Sequence, residues 1–306
     1  MPRALSRQIM RCGYLLCNGQ PVTVRQAVSE GDRLTVLLPA ADSNVAPERG
    51  PLSVLYEDSD LLVVNKPPGQ LIHPARAEAR GTLANLVAGH LADAGAPATP
   101  RPVGRLDRGV SGLSIWARTR YAHAVLAAER ASGQLTREYL AITGPGDSRR
   151  AAGVTSERVA SPSFDPARYT VPRPARTLWR VLARWPGGNL VLVKPETGRT
   201  HQIRQHLASI GLPLYGDTLY GGDARTGIRR PALHAWRAGL HQPVDGRLLC
   251  VRAPLPPDMR RLAGLLAAAG GRGRSQPNDA PSGRHRVRRQ LRPRRAERSE
   301  RNGGWR

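Results

Sequence analysis

The chain has 306 residues, 33.2 kDa, a length suited to two domains or to one large domain with appendages. It carries 47 Lys+Arg against 23 Asp+Glu, a formal net charge of +24, which points to a polyanion and first of all to nucleic acid. No run of about 18 apolar residues could span a membrane, the opening MPRALSRQIMRCGY has no apolar leader core, and Cys12, Cys17 and Cys250 form no disulfide or zinc pattern. A reducing cytoplasm is the expected compartment. All the cations except Lys66 and Lys194 are Arg. That bias suits phosphate and base edges, although a GC-rich genome would write it too.

Residues 1–40 read as a short helix followed by Leu15-Leu16-Cys17, the turn Asn18-Gly19 and Pro21–Val24. Asn-Gly between apolar runs is a strong hairpin signal. A second turn at Glu30-Gly31-Asp32 leads into the alternating strand Arg33–Leu38. Residues 41–50 are linker-like. From residue 51 to about 262 strand-like and helix-like segments alternate without a repeat. Val54–Tyr56 and Leu61–Val64 flank a turn at 57–60, and Thr82 can cap a helix carrying Leu83, Leu86, Val87 and Leu91 at helical spacing. Ser114–Ala117 is extended and precedes a helix near 121–132; Tyr139–Ile142 is a strand ending at Gly144-Pro145. Leu178–Arg184 and Leu190–Val193 pair across Pro186–Asn189, and a helix from about His201 to Ile210 stops at Gly211. Strands run together with few helices between them, so the predicted class is α+β with a mostly antiparallel mixed sheet.

The stretch 263–306 is expected to begin as the end of a short helix and continue as an Arg-rich tail. Residues 270–306 hold twelve Arg against three acidic residues, and their composition cannot bury enough apolar surface to order them. Such a tail would add sequence-independent affinity for phosphates.

Two stretches are dense in chemistry. In Val103–Leu113 an Asp, Asp107, lies between Arg105/Arg108 in a turn rich in Gly and Ser. Flanking cations hold such a carboxylate ionised, yet in isolation the pattern favours a turn-capping Asp. In Lys194–Leu207, Ile203, Leu207 and Ile210 make one apolar helix face, while His201, Arg204 and Gln205 share another near the helix start. A polyanion or a carboxylate would be welcome there; a solvated basic face fits equally well. His201 and His206 are five apart, which does not match the one-face spacing of a zinc helix.

Taken together, Val64-Asn65-Lys66-Pro67-Pro68-Gly69, Gly104-Arg105-Leu106-Asp107 with Ser111-Gly112-Leu113, Arg137-Glu138-Tyr139-Leu140-Ala141, Glu196–Arg204, Gly211–Gly221 and Leu233-His234-Ala235 resemble the ordered motifs of the RluA family of RNA pseudouridine synthases. The resemblance covers about residues 51–256, and six motifs in order are highly specific. Residues 10–38 resemble the later part of an S4 RNA-binding module whose opening helix is missing. Gly104 stands where many family members have His, and Val110 where Thr is common; neither replaces a residue the chemistry needs.

The resemblance implies a pseudouridine synthase catalytic domain over 51–262 with a central cleft. It implies isomerisation of uridine in structured RNA without cofactor or metal. By motif, Asp107 is the catalytic carboxylate, acting as nucleophile or as sugar-proton base. Arg204 pairs with it, and Tyr139 stacks on the target base. Arg105 fills the gap left by the flipped nucleotide, Leu233 floors the pocket, and Arg199 and His201 contribute to substrate binding. Leu233 could equally be a plain core residue, and Tyr139 a half-buried strand residue. His73 and Pro74 also fit the family, in structural roles. The partner is RNA, ribosomal RNA ahead of tRNA, with a monomer as the default and no obligatory protein partner. The alternative is a non-catalytic RNA-binding or ribosome-assembly protein on the same fold.

Overall fold

A computed structural model of the chain describes residues 14–23, 25–37, 45–74, 80–95, 99–146, 151–160, 171–224 and 227–269. The expected N-terminal helix and the Arg-rich tail lie outside these residues. Three strands, β1 (Tyr14–Cys17), β2 (Gln20–Val22) and β3 (Leu34–Leu37), form a small antiparallel sheet in the order β2-β1-β3. Its first hairpin turns at Asn18-Gly19, both with positive φ (52° and 83°), as a tight turn matching the strand twist requires. The Asn18 side chain ties that turn to Asp32 and to the Arg33 amide, at 2.8 and 2.9 Å.

The larger part is built on a ten-stranded sheet. In chain order its elements begin with β4 (Val54–Glu57), β5 (Leu61–Lys66), helix α1 (Leu83–Asp93), β6 (Arg101–Pro102) and β7 (Ser111–Ala117). Helix α2 (Arg120–Ser132), β8 (Thr136–Thr143) and β9 (Ala152–Thr155) follow. A separate two-stranded ladder, β10 (Arg158–Val159) with β11 (Arg173–Pro174), precedes β12 (Thr177–Trp185), β13 (Gly188–Pro195) and helix α3 (Gln202–Ser209). A 3-10 turn (Thr218–Tyr220), β14 (Leu233–His241), β15 (Leu248–Arg252) and helix α4 (Pro257–Ala268) complete it. The main path is β4-β5-β7-β14-β8-β13-β12-β9, with β6 beside β7 and β15 beside β14.

The expected α+β class holds, and so does the antiparallel character: every ladder is antiparallel except β7 with β14. The 178–193 hairpin forms with longer strands and a tighter turn than its sequence suggests, since Trp185 pairs directly with Gly188. Thr82 caps α1 in a reciprocal box with Asn85. Helix α4 runs unbroken through residue 262 and buries Met259, Leu262 and Leu266. No helix among the described residues is long and apolar enough to cross a membrane.

The parallel contact brings distant motifs together. Ser111 registers with His234, and Gly112 with Ala235. Gly112 has φ +109°, and a Cβ there would sit 2.2 Å from the Ala235 carbonyl oxygen, so only glycine permits the approach. Beside it the fully buried His234 ring meets Ser111 Oγ at 3.0 Å through Nδ1 and the Ala253 carbonyl at 3.4 Å through Nε2. Burial pushes the His234 pKa down to about 4 from 6.5, Arg230 adding to the fall while Ala253 and Asp258 oppose it.

The folded protein therefore binds this proton less readily than the unfolded chain. The stabilising effect of neutral His234 is complete above pH 6.5 and is lost as pH falls towards 4. The loss should amount to about 3 kcal/mol. Urea unfolding from pH 7 to pH 4 is expected to show it in the wild type and to show a flatter profile in His234→Asn; parallel profiles would contradict the assignment.

Candidate active site

All seven residues singled out in the sequence, Arg105, Asp107, Tyr139, Arg199, His201, Arg204 and Leu233, line one cavity of about 540 Å³. Three backbone segments build it. The turn between β6 and β7 carries Arg105 and Asp107. The central strand β8 carries Tyr139, whose backbone registers with Val193 on one side and Ala235 on the other. The turn from β13 into α3 carries Arg199, His201 and Arg204.

The packing explains why these segments converge. Ile203 and Leu207, the apolar face read from the sequence, sink into the same core cluster as Tyr139, Val193 and Leu233, which presses the start of α3 against the sheet. Leu233 is 3% exposed and serves both as core and as cavity lining. The turn preceding α3 is held by Gln202. Its Oε1 accepts from Thr197 Oγ1 at 2.7 Å and from the Arg199 amide at 3.0 Å, while its Nε2 donates to the Arg176 carbonyl and Thr177 Oγ1. Helix α3 begins one residue later than expected, and His201 before it adopts a left-handed backbone, φ 55°. Non-glycine residues take that conformation only when their surroundings hold them there.

The start of α3 is not a solvated basic face. Arg204 is 8% exposed, and its guanidinium is held in a two-bond fork by Asp217, both N–O distances being 2.6 Å. Asp107 is its second carboxylate: Asp107 Oδ2 lies 3.7 Å from Arg204 Nη1 and 3.7 Å from His201 Nε2. The expected Arg204–Asp107 pairing is thus a charge contact, and the hydrogen-bonded partner is Asp217. Burial opposes the Arg204 charge, but the Asp217 hydrogen bonds and charge, with Asp107 adding to them, raise its pKa above the ordinary value. Tyr220 completes the group. The Arg204 guanidinium carbon is 5.0 Å from its ring centroid, and its hydroxyl is 3.1 Å from His201 Nδ1. Burial lowers the His201 pKa, Arg204 lowering it further while Asp107 and Asp217 oppose.

The Asp107 turn is clamped from beneath by Lys66. This side chain is fully buried, and its ammonium donates to the Pro67 and Gln70 carbonyls at 2.9 Å and the Arg108 carbonyl at 3.1 Å. Burial and the Arg230 charge push the Lys66 pKa down to about 7, against the pull of Asp107. The backbone of Gly69 and Arg108 adds another tie at 2.8 Å, and Arg108 Nε returns a bond to the Gly69 carbonyl at 2.9 Å. On the far side of the turn, Arg230 Nη1 donates to the carbonyls of Gly109, Pro231 and Leu233, and its fork is held by Asp258 at 2.7 and 2.9 Å.

Asp217, Tyr220, Arg230 and the clamping role of Lys66 were missed by the sequence reading. Asp217 and Tyr220 lie within the Gly211–Gly221 motif and Lys66 within the first motif, so their positions were visible but their partners were not.

The arrangement presents one carboxylate at the wall of a cavity, two cationic or imidazole groups within 4 Å of it, and a buried aromatic ring nearby. Such a site can form or break a bond at a carbon centre beside a flat ring. Comparison with known proteins agrees. The family model for RNA pseudouridylate synthase matches residues 60–209. An uncharacterized RNA pseudouridine synthase of Bacillus subtilis, YhcT, is 39% identical over 80% of this chain and 82% of its own. The ribosomal large subunit pseudouridine synthase D of Nitrosomonas europaea is 35% identical over 78% of this chain and 73% of its own. The solved structure of human RNA pseudouridylate synthase domain containing 1 matches 78% of this chain and the whole of that one, with a TM-score of 0.56 at 24% identity, which is a likeness of fold. The ordered motifs, the shared fold and the similarity across most of the length together place this chain in the RluA family of RNA pseudouridine synthases, enzymes that isomerise uridine within RNA.

Proposed function

We propose that the protein isomerises particular uridines of a large folded RNA, ribosomal RNA ahead of tRNA, with Asp107 as the catalytic carboxylate. The observation that carries this reading is the placement of Asp107 on the cavity wall, 3.7 Å from both Arg204 and His201, with Tyr139 lining the same cavity. In the reaction the C1′–N1 bond breaks, the freed uracil turns, C1′ joins C5, the C5 proton leaves to solvent and N1 takes up a proton in its place. Arg204, held in a fork by Asp217, faces Asp107 at 3.7 Å without occupying its oxygens. Tyr139 stacks on the uracil and helps to take the C5 proton, Leu233 floors the pocket, and Arg199 and His201 hold the substrate strand. Arg105, which has no ion pair among the described residues, fills the stack vacated by the flipped nucleotide and offsets the few kcal/mol that extrusion costs. Ribosomal RNA is favoured because several similar proteins carry the name ribosomal large subunit pseudouridine synthase D. The S4-like reading of residues 10–38 and the basic tail would extend the phosphate-contacting surface.

Tritium release from [5-³H]uridine-labelled ribosomal RNA and tRNA pools tests the proposal. The wild type is expected to release label from ribosomal RNA, and Asp107→Asn to release none while keeping nearly unchanged RNA affinity. An equal collapse of affinity would make Asp107 structural. Wild-type binding without release from either pool would favour the non-catalytic alternative.

The ion pair beneath Asp107 makes a second prediction. Breaking a buried, fully hydrogen-bonded pair costs about 3 kcal/mol or more. Asp217→Asn should therefore lower unfolding stability by about that amount. Single-turnover tritium release should slow by at least about tenfold under conditions where the variant is still folded. A variant as stable and as fast as the wild type would show that Asp217 does not position Arg204.

A further inference from the structure

One wall of the cavity holds positive charge that no described residue neutralises. Arg105, Arg130 and Arg137 all line it, and none of them has an ion pair with a described residue. Arg130, on α2, and Arg137, on β8, are packed together between two glycines. A Cβ on Gly104 would lie 3.1 Å from Arg137 Nη1 and 3.3 Å from Arg130 Nη1, and a Cβ on Gly198 would lie 2.5 Å from Arg130 Nη2. Gly104 belongs to the turn that carries Asp107, and Gly198 to the turn that carries Arg199. The two guanidinium groups therefore lie in the space that both turns leave open by lacking a side chain there, so a side chain at either glycine would have to displace them. Burial, the charge of Arg137 and that of Arg105 depress the Arg130 pKa, with Tyr139 opposing. Like charges crowded on a partly buried wall are unfavourable unless an anion meets them, and paired guanidinium forks match phosphate oxygens.

We propose that Arg130 and Arg137, admitted by Gly104 and Gly198, form a phosphate clamp that grips a backbone phosphate next to the flipped uridine. This rests on the uridine-isomerising reading of the same cavity and adds a positioning site to it. By holding the strand next to the extruded nucleotide, the clamp would fix the sugar relative to Asp107.

Uridine 3′,5′-bisphosphate, uridine and inorganic phosphate serve as probes, with binding followed by calorimetry and by ³¹P line broadening. The wild type is expected to bind the bisphosphate at least about tenfold more tightly than uridine. Arg130→Gln and Arg137→Gln should each remove most of that advantage and leave uridine binding unchanged. Arg130→Lys should restore only part of it, because the bidentate fork is lost. Arg260→Gln, an exposed change on α4, is the control for bulk charge and should leave the bisphosphate affinity as it is. Thermal unfolding monitors folding: bisphosphate should raise the wild-type midpoint more than that of Arg130→Gln. Equal bisphosphate affinity in the wild type and both Gln variants would overturn the clamp, as would an equal loss in Arg260→Gln. If phosphate and bisphosphate bind through Arg130 while uridine adds nothing, the clamp stands and the uridine reading of the cavity fails.

Discussion

The site depends on a buried guanidinium that faces two carboxylates at different distances. Asp217 takes the fork of Arg204 at 2.6 Å, whereas Asp107 stays at 3.7 Å. Had Asp107 taken the fork, both its oxygens would be committed to hydrogen bonds and unavailable to a substrate. Because Asp217 satisfies the geometry, Arg204 meets Asp107 only as a charge contact at 3.7 Å. Each of the three groups would be costly to bury alone, and together they are tolerated. Their convergence requires α3 to dock by Ile203 and Leu207 and the 3-10 turn at Thr218–Tyr220 to fold back over it. The hydrophobic core thus sets the electrostatics.

Two other cations, the buried Lys66 and the half-buried Arg230, extend the same logic to the backbone. Lys66 and Arg230 each donate to three carbonyls, and each has one of those contacts in the turn that carries Asp107, at Arg108 and Gly109 respectively. A turn rich in glycine would otherwise be free to move. Cations that bind main-chain oxygens hold it without placing further carboxylates near Asp107. This explains how a protein with so large an excess of positive charge can hold several cations around the one carboxylate of Asp107.

The legible part of the fold was the part dictated by local chemistry. Asn18-Gly19 made its hairpin because both residues accept positive φ, Thr82 capped α1, and the spacing of Ile203 and Leu207 gave the buried face of α3. The ordered motifs brought Asp107, Tyr139, Arg204 and Leu233 to attention, and they do line one cavity. The polar face of α3 was not legible. From its composition it could have been a solvated basic surface, because nothing local reveals that Asp217, thirteen residues away, closes on Arg204. Nor could spacing reveal that Arg130 and Arg137 share the gap left by Gly104 and Gly198, since that contact joins a helix, a strand and two turns.

By itself the sequence determined the α+β class and the local turns and caps. These follow from short-range rules: backbone freedom at glycine and asparagine, capping by threonine, and the period of apolar residues. Only the tertiary structure decided who pairs with whom. It set the parallel meeting of β7 and β14 through Gly112, gave Arg204 to Asp217, and set Lys66 and Arg230 against the Asp107 turn. Charge and hydrogen-bond energies depend on distances of a few ångströms and on burial, and those are fixed only when distant segments pack against a common core.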